Sequence, residues 1–97
     1  MMEEVKLELN EHHRGHFFIE DKGEGVAAMQ IGVLENVMTV YHTEVMPDYE
    51  GKGLAKKLLT TMADYARKNG LKVVPFCPYV LAQFKAHPDA YADIMKK

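Results

Sequence analysis

The chain has 97 residues, 47% of them hydrophobic, with a formal net charge of −2 at pH 7, so residues 1–97 are expected to form a single domain with one core. The charge argues against binding to nucleic acid or to a membrane surface, and no apolar run approaches the roughly 20 residues of a membrane span. One cysteine excludes an internal disulfide, and no Cys/His spacing resembles a metal site, so a cytoplasmic protein without a metal is expected.

Four strands are predicted in the first half of the chain. Val5, Leu7 and Leu9 alternate with polar residues, which is typical of a half-buried strand. Three runs rich in β-branched and aromatic residues follow it, separated by short polar turns. The predicted strands are residues 5–9, 16–20, 26–31 and 36–45, with turns at 10–15, 21–25 and near 34–36. Four consecutive strands with short connections predict an antiparallel meander.

A helix is predicted after a glycine-containing loop in the second half. Leu54, Leu58 and Met62 recur at the spacing of one helical face, and Asn69-Gly70 is typical of a helix C-terminus. A fifth strand is predicted at residues 71–74. Two short helical segments are predicted at residues 78–85 and 88–94, each beginning with a proline.

The loop between the fourth strand and the helix carries the most specific pattern. Gly51 and Gly53 flank Lys52 directly before the helix, where the backbone N–H groups from Gly51 to Lys56 and the positive end of the helix dipole can bind a phosphate. The spacing excludes a Walker A loop and a dinucleotide-binding loop. Lys52, Lys56 or Lys57 could add positive charge. An ordinary strand–turn–helix junction is the alternative.

The segment from Glu50 to Ala55 resembles the acyl-CoA loop of the GNAT superfamily of N-acetyltransferases, Q/R-x-x-G-x-G/A. Gly53 and Ala55 match this pattern, whereas Glu50 stands where the superfamily has Gln or Arg. Two further motifs are similar to those of the short stand-alone members of the superfamily: His42-Thr43-Glu44-Val45 and Pro75-Phe76-Cys77-Pro78-Tyr79. The three motifs occur in order, and the resemblance covers essentially the whole chain.

The resemblance implies an α+β fold of the α/β three-layer type, the GNAT-like acyl-CoA N-acyltransferase fold. Its antiparallel meander of four strands is followed by a helix, a fifth strand and C-terminal helices. Full-size members carry two helices between the first and second strands. Only about six residues, Asn10 to Gly15, connect those strands here, so these helices are expected to be missing.

The resemblance also implies an acetyl-CoA-dependent N-acetyltransferase that acts on an amine. Acetyl-CoA is then the cosubstrate, with its pyrophosphate on the glycine loop and its pantetheine arm antiparallel to the fourth strand. The acceptor, a small molecule or a protein, is not specified, and a monomer or weak homodimer is expected. The residues expected to bind the cofactor are Glu44, Val45, Met46, Gly51, Lys52, Gly53, Leu54, Ala55, Lys56 and Tyr79.

Cys77 is the first candidate for chemistry on the thioester. It precedes Pro78 at a predicted helix start, where the helix dipole would stabilise a thiolate that could accept the acetyl group. A small buried core residue is the alternative for a free cysteine. The resemblance implies that Tyr79 could protonate the leaving CoA thiolate, and packing is the alternative for this side chain.

His42 is the second candidate. By strict alternation it would share a face with Met38 and Val40, either as a packed core residue or as a base directed into the cleft. The resemblance implies a histidine near the acetyl group that could act together with Cys77. Glu44 would share the same face and could orient His42 or bind the amine.

Two other functions remain open from the sequence. Without helices between the first two strands no acceptor pocket is evident, which allows a non-catalytic module that binds acetyl-CoA or CoA. A small structural or protein-interaction domain without a ligand is the third possibility.

Overall fold

The computed structural model describes residues 4–96. Five strands form one mixed sheet in the order β1-β2-β3-β4-β5, in which β1 to β4 are antiparallel and β5 runs parallel to β4. The strands are β1 (Lys6–Leu9), β2 (Arg14–Asp21), β3 (Glu24–Leu34), β4 (Val37–Val45) and β5 (Lys72–Pro75), and the helices are α1 (Leu54–Lys68), α2 (Pro78–Ala86) and α3 (Pro88–Tyr91). The meander, the central helix and the fifth strand are confirmed.

Strand β2 begins two residues earlier than predicted, at Arg14. The turn before it is shorter because the Asn10 side-chain oxygen accepts hydrogen bonds from the backbone N–H groups of His12 and Arg14, at 2.8 and 3.1 Å. Asn side chains commonly close turns in this way. The predicted turn over residues 10–15 was therefore too long.

The last predicted helix was also too long. Helix α3 ends at Tyr91, and the chain then runs beside β5. The backbone N–H of Val73 donates to the carbonyl of Ile94 at 2.6 Å, and the N–H of Lys96 donates to the carbonyl of Val73 at 3.1 Å. These bonds give β5 a hydrogen-bonded neighbour on its outer edge.

All three helices contribute to one core on one face of the sheet. Helix α1 turns the side of Leu58, Met62 and Ala66 toward this core, and α2 adds Val80 and Phe84. The helix ends as predicted, with Gly70 at a φ of 66° and the N–H of Leu71 bonded to the carbonyl of Ala66.

The opposite face of the sheet is open. No helix in residues 4–96 covers it, and its side chains, among them His16, Phe18 and Gln30, are half-buried or exposed. The short β1–β2 turn removes the helices that would form a layer here, as the sequence predicted. Within the same residues no helix is long and apolar enough to cross a bilayer.

A β-bulge in β4 changes which side chains face the helices. Ile31 of β3 pairs with Val40 and Gln30 pairs with His42, so Tyr41 is an extra residue. Met38 and Val40 before the bulge point into the core and are buried. His42, next after the bulge, points to the open face with Gln30.

Candidate active site

A cleft opens where β4 and β5 separate. Their pairing ends at Val40 and Pro75, and one further bond joins the N–H of Cys77 to the carbonyl of Val40 at 2.9 Å. From Tyr41 to Val45, β4 has a strand neighbour on the β3 side only. In a strand, alternate residues direct N–H and C=O groups to the same side, so this free edge offers backbone hydrogen bonds to a ligand.

The glycine loop forms one end of this cleft. Gly51 and Gly53 have φ values of 81° and 79°, which glycine adopts without the strain that a Cβ would cause. Gly53 is the N-cap of α1, and no side chain of the described residues caps this helix end. Since the first intrahelical bond is donated by Lys57, the N–H groups of residues 54–56 are available to an anion.

The cleft has a volume of about 390 Å³, and most of the predicted cofactor-binding residues line it. Those that do are Glu44, Val45, Gly51, Gly53, Leu54, Ala55, Lys56 and Tyr79. Lys52 and Met46 are not among the lining residues, and Met46 lines a separate groove on the open face of the sheet. The structure therefore brings the three sequence motifs together around one cavity.

Three lining residues were not among the predicted cofactor-binding residues: Thr43, Tyr49 and Glu50. Thr43 faces the cleft because the bulge at Tyr41 turns it there. Tyr49 lies in a 3₁₀ turn, Pro47–Tyr49, that was not predicted, and its hydroxyl donates a 2.7 Å hydrogen bond to Asp21. This bond raises the pKa of the Tyr49 hydroxyl and ties the segment before the glycine loop to the β2–β3 hairpin.

Cys77 is the N-cap residue of α2, as the proline after it predicted. Its side chain is buried, with 1% exposure, and its Sγ donates a hydrogen bond to the Thr43 hydroxyl at 3.3 Å. Thr43 lines the cleft, whereas Cys77 lies behind it. The thiol is thus one side chain removed from the cavity.

The prediction that His42 shares a face with Met38 and Val40 was wrong. The extra residue at Tyr41 reverses the alternation, so His42 lies on the open face of the sheet and its side chain is 55% exposed. Its Nε2 lies 3.6 Å from a carboxylate oxygen of Glu44, as expected for two residues on one face. The Cys77 thiol lies on the helix side, so the structure does not bring the two predicted catalytic residues together.

Tyr79 lies in the first turn of α2 and closes the side of the cleft opposite the edge of β4. Burial raises the pKa of its hydroxyl, and Tyr91 and Cys77 add to this effect. The hydroxyl therefore remains a proton donor throughout the physiological range. Within residues 4–96, no group of three His, Cys, Asp or Glu side chains is placed to hold a metal.

Residues 16–94 match the family model of the GCN5-related N-acetyl-transferases. The chain belongs to this family. It is accordingly an acyltransferase of the GNAT type, and its mixed five-stranded sheet with helices is the fold of that family. No curated protein matches the chain in sequence.

Solved GNAT structures show the same fold. A GCN5-like protein from Staphylococcus aureus, known from an NMR solution structure, is 26% identical, with a TM-score of 0.69 over 94% of this chain and 87% of that chain. The ribosomal-protein-S18-alanine N-acetyltransferase of Escherichia coli is 21% identical, with a TM-score of 0.66. That match covers 79% of this chain and 53% of the enzyme, so this GNAT protein aligns with about half of the larger enzyme's length.

GNAT enzymes use acetyl-CoA as cosubstrate, and one structural relative is known in complex with CoA. It is an aminoglycoside N-acetyltransferase, 15% identical, with a TM-score of 0.56 over 88% of this chain and 69% of that chain. The cleft of the present GNAT protein fits such a ligand in three respects. It has uncapped helix N–H groups for the phosphates, a free strand edge for the amide groups of the arm, and the half-buried Tyr79 as a hydroxyl donor.

Proposed function

We propose that this protein transfers an acetyl group from acetyl-CoA to an amine, with the cofactor in the cleft between the edge of β4 and the start of α2. One observation carries the proposal: the glycine loop directs the uncapped N-terminus of α1 into the same cavity that the free edge of β4 lines. A pyrophosphate bound at the loop would place the pantetheine arm along that edge.

The charges around the loop are consistent with this placement. Lys56 lines the cleft and can add positive charge near the phosphates, whereas Glu50 lines it with a negative charge. Backbone N–H groups at a helix N-terminus bind anions without a charged side chain. Binding in this proposal therefore depends mainly on the backbone from Gly51 to Lys56, and Glu50 lowers the affinity without removing the site.

In the direct route the nitrogen lone pair of the amine attacks the thioester carbonyl carbon. The N–C bond forms, the C–S bond breaks, and CoA leaves as a thiolate. His42, through a water molecule, accepts the proton that the nitrogen loses, and Glu44 at 3.6 Å stabilises the resulting imidazolium. Tyr79, which lies in the cleft and which its raised pKa keeps protonated at neutral pH, donates the proton that converts the thiolate to a thiol.

A covalent route through Cys77 is the competing mechanism. Its thiolate would attack the same carbon and release CoA, and the amine would then attack the acetyl-Cys77 thioester and free the thiolate again. The thiol must first lose the proton that it donates to Thr43. Its burial behind Thr43 favours the direct route, in which Cys77 holds Thr43 in place.

Thermal unfolding with acetyl-CoA, CoA and ATP tests the cofactor assignment. A ligand at 100 times its Kd adds about 2.7 kcal/mol to the free energy of unfolding, which corresponds to several degrees for a domain of this size. We expect shifts with acetyl-CoA and CoA and none with ATP. Equal shifts with all three ligands would indicate a loop that binds phosphate groups without selecting CoA. No shift with any of them would contradict the proposal.

An amine panel then tests transfer, with release of free CoA thiol as the readout. We expect turnover of at least one primary amine. Tight binding of acetyl-CoA without turnover of any amine in the panel would contradict the transferase proposal and indicate a cofactor-binding module.

A further inference from the structure

The open face of the sheet carries a groove of about 540 Å³. Three carboxylates line it: Glu8 of β1, Glu20 of β2 and Glu44 of β4. Lys6 forms an ion pair with Glu20 at 3.0 Å, whereas within residues 4–96 neither Glu8 nor Glu44 forms an ion pair with a lysine or arginine. The groove is within the usual size range of small-molecule sites.

The register of the sheet separates these two carboxylates across a floor that holds Ala28 and the rings of Phe18 and His16. Glu44 pairs with Ala28, and Ala28 pairs with Phe18. Glu8 lies on β1, two strands beyond β3, opposite His16, whereas Lys6 lies opposite Phe18. With about 4.8 Å between neighbouring strands, the backbones at Glu44 and Glu8 are roughly 15 Å apart. The groove therefore has a carboxylate at each end, with the rings of Phe18 and His16 between them.

We propose that the acceptor is a linear aliphatic di- or polyamine that lies in this groove. One ammonium group pairs with Glu8, the methylene chain packs on Phe18, and the other amine lies beside Glu44. Such an amine has a positive charge at each end and an apolar chain between them, which complements the two carboxylates and the Phe18 ring of the groove. This inference rests on the proposed function, since it names the substrate class of that reaction.

The near end of the groove is adjacent to the thioester. Glu44 and Val45 line both the groove and the cofactor cleft, one on each side of the free part of β4. An amine beside Glu44 also lies near His42, whose Nε2 is 3.6 Å from the same carboxylate. The near amine gives a proton to His42 and attacks the thioester carbon as described above, while the far ammonium at Glu8 keeps its proton and anchors the chain.

Binding can be measured without any cofactor. Spermidine is titrated into the isotope-labelled protein, and octylamine serves as a monoamine of comparable length. We expect backbone amide shifts at Phe18, Ala28 and Glu44 with spermidine, a weaker effect with octylamine, and an affinity for spermidine that falls as salt is added. Equal affinities for the two amines, or shifts elsewhere only, would overturn the proposal.

Turnover supplies the second test. Glu8→Gln is expected to raise the KM for spermidine by about two- to fivefold, the range of an exposed ion pair, and to leave kcat unchanged. Glu11→Gln makes the same charge change in the β1–β2 turn outside the groove and should leave KM unchanged. Identical KM values for the two variants, or acetylation of a peptide N-terminus in preference to spermidine, would contradict the polyamine assignment.

The two proposals fail differently. If spermidine binds in the groove but acetyl-CoA causes no thermal shift, the groove is a polyamine-binding site and the transferase proposal is wrong. If acetyl-CoA binds and an unrelated amine is turned over while spermidine does not bind, the transferase proposal stands and the polyamine assignment is wrong.

Discussion

The Cys77 thiol donates a 3.3 Å hydrogen bond to the Thr43 hydroxyl. This bond joins the N-terminus of α2 to β4 beside the cleft. Cys77 is buried, and Thr43 lines the cavity. The bond can therefore either position Thr43 for a bound ligand or hold a nucleophile in its protonated form. Substitutions at the two residues separate these roles.

Cys77→Ala removes the donor and any covalent route. Because the thiol lies behind Thr43, we expect turnover within about fivefold of the wild type and a loss of about 1 kcal/mol of unfolding free energy for the buried hydrogen bond. Cys77→Ser keeps a donor and should lie between the two proteins. A loss of turnover beyond about a hundredfold in Cys77→Ala, together with an acetylated wild-type cysteine in intact-mass spectra, would establish the covalent route instead.

Gly53→Ala tests the phosphate loop. The left-handed φ of 79° costs an alanine about 1 kcal/mol, and relief of that strain would turn the first N–H groups of α1 away from the cleft. We expect at least about tenfold weaker binding of acetyl-CoA by calorimetry. Gly70→Ala is the matched control, since its φ of 66° lies at the other end of the same helix. Equal effects of the two substitutions on affinity would contradict the assignment of the loop.

His42→Gln tests the proposed base. A general base contributes about 10²- to 10⁴-fold, so kcat should fall by that order, whereas the exposed side chain implies a stability change within about 0.5 kcal/mol. Since His42 and Cys77 lie on opposite faces, their effects on stability should add in the double variant. An unchanged kcat in His42→Gln would remove His42 from the mechanism, and His87→Gln, outside both cavities, controls for a nonspecific effect.

Tyr79→Phe tests the proposed acid. Burial raises the pKa of the Tyr79 hydroxyl, so the wild type should retain this proton donor to a higher pH than an exposed tyrosine would. We expect a lower kcat, an unchanged Kd for acetyl-CoA, and loss of the alkaline limb of the pH–rate profile that this hydroxyl would produce. Retention of both kcat and that limb would indicate that Tyr79 only packs against the cofactor.

Asp93→Asn gives a pH-dependent effect on stability. Arg67 Nε donates a 2.8 Å hydrogen bond to Asp93, and this bond holds the pKa of the carboxyl below its ordinary value of 3.8. A lowered pKa in the folded protein contributes stability above the ordinary value, and that contribution is lost as the pH falls through the folded value. The difference in urea midpoint between wild type and variant should therefore be present at pH 7 and be lost as the pH falls below the lowered pKa of Asp93. Asp64→Asn leaves the Asp93 bond in place and should show a smaller difference at pH 7.

The order of strands and helices could be predicted from the sequence because each element has a clear period or a clear terminator. The glycine loop could also be predicted, since two glycines before an amphipathic helix have few structural explanations. The cleft in which we propose that the cofactor binds is formed by segments that these local features, together with the resemblance, single out. The element order and the glycine loop each depend on residues that are close in sequence.

The orientation of His42 could not be predicted in the same way. Strict alternation along β4 places it with Val40, and only the pairing with β3 shows that Tyr41 is an extra residue. The Tyr49–Asp21 bond likewise joins residues 28 positions apart, and no sequence pattern predicts that these two residues are in contact. The wrong face of His42 and the unpredicted Tyr49–Asp21 bond both depend on contacts between distant segments, and periodicity within one segment does not reveal such contacts.

The C-terminal residues beside β5 have a consequence for self-association. By bonding to Val73, Ile94 and Lys96 cover an apolar strand edge that would otherwise be open to a strand of another molecule. The opposite edge of the sheet is β1, which is four residues long and carries Lys6 and Glu8, a short charged edge of the kind that resists strand addition. Truncation after Asp93 should therefore make the protein aggregate through β5, even if the cleft remains intact.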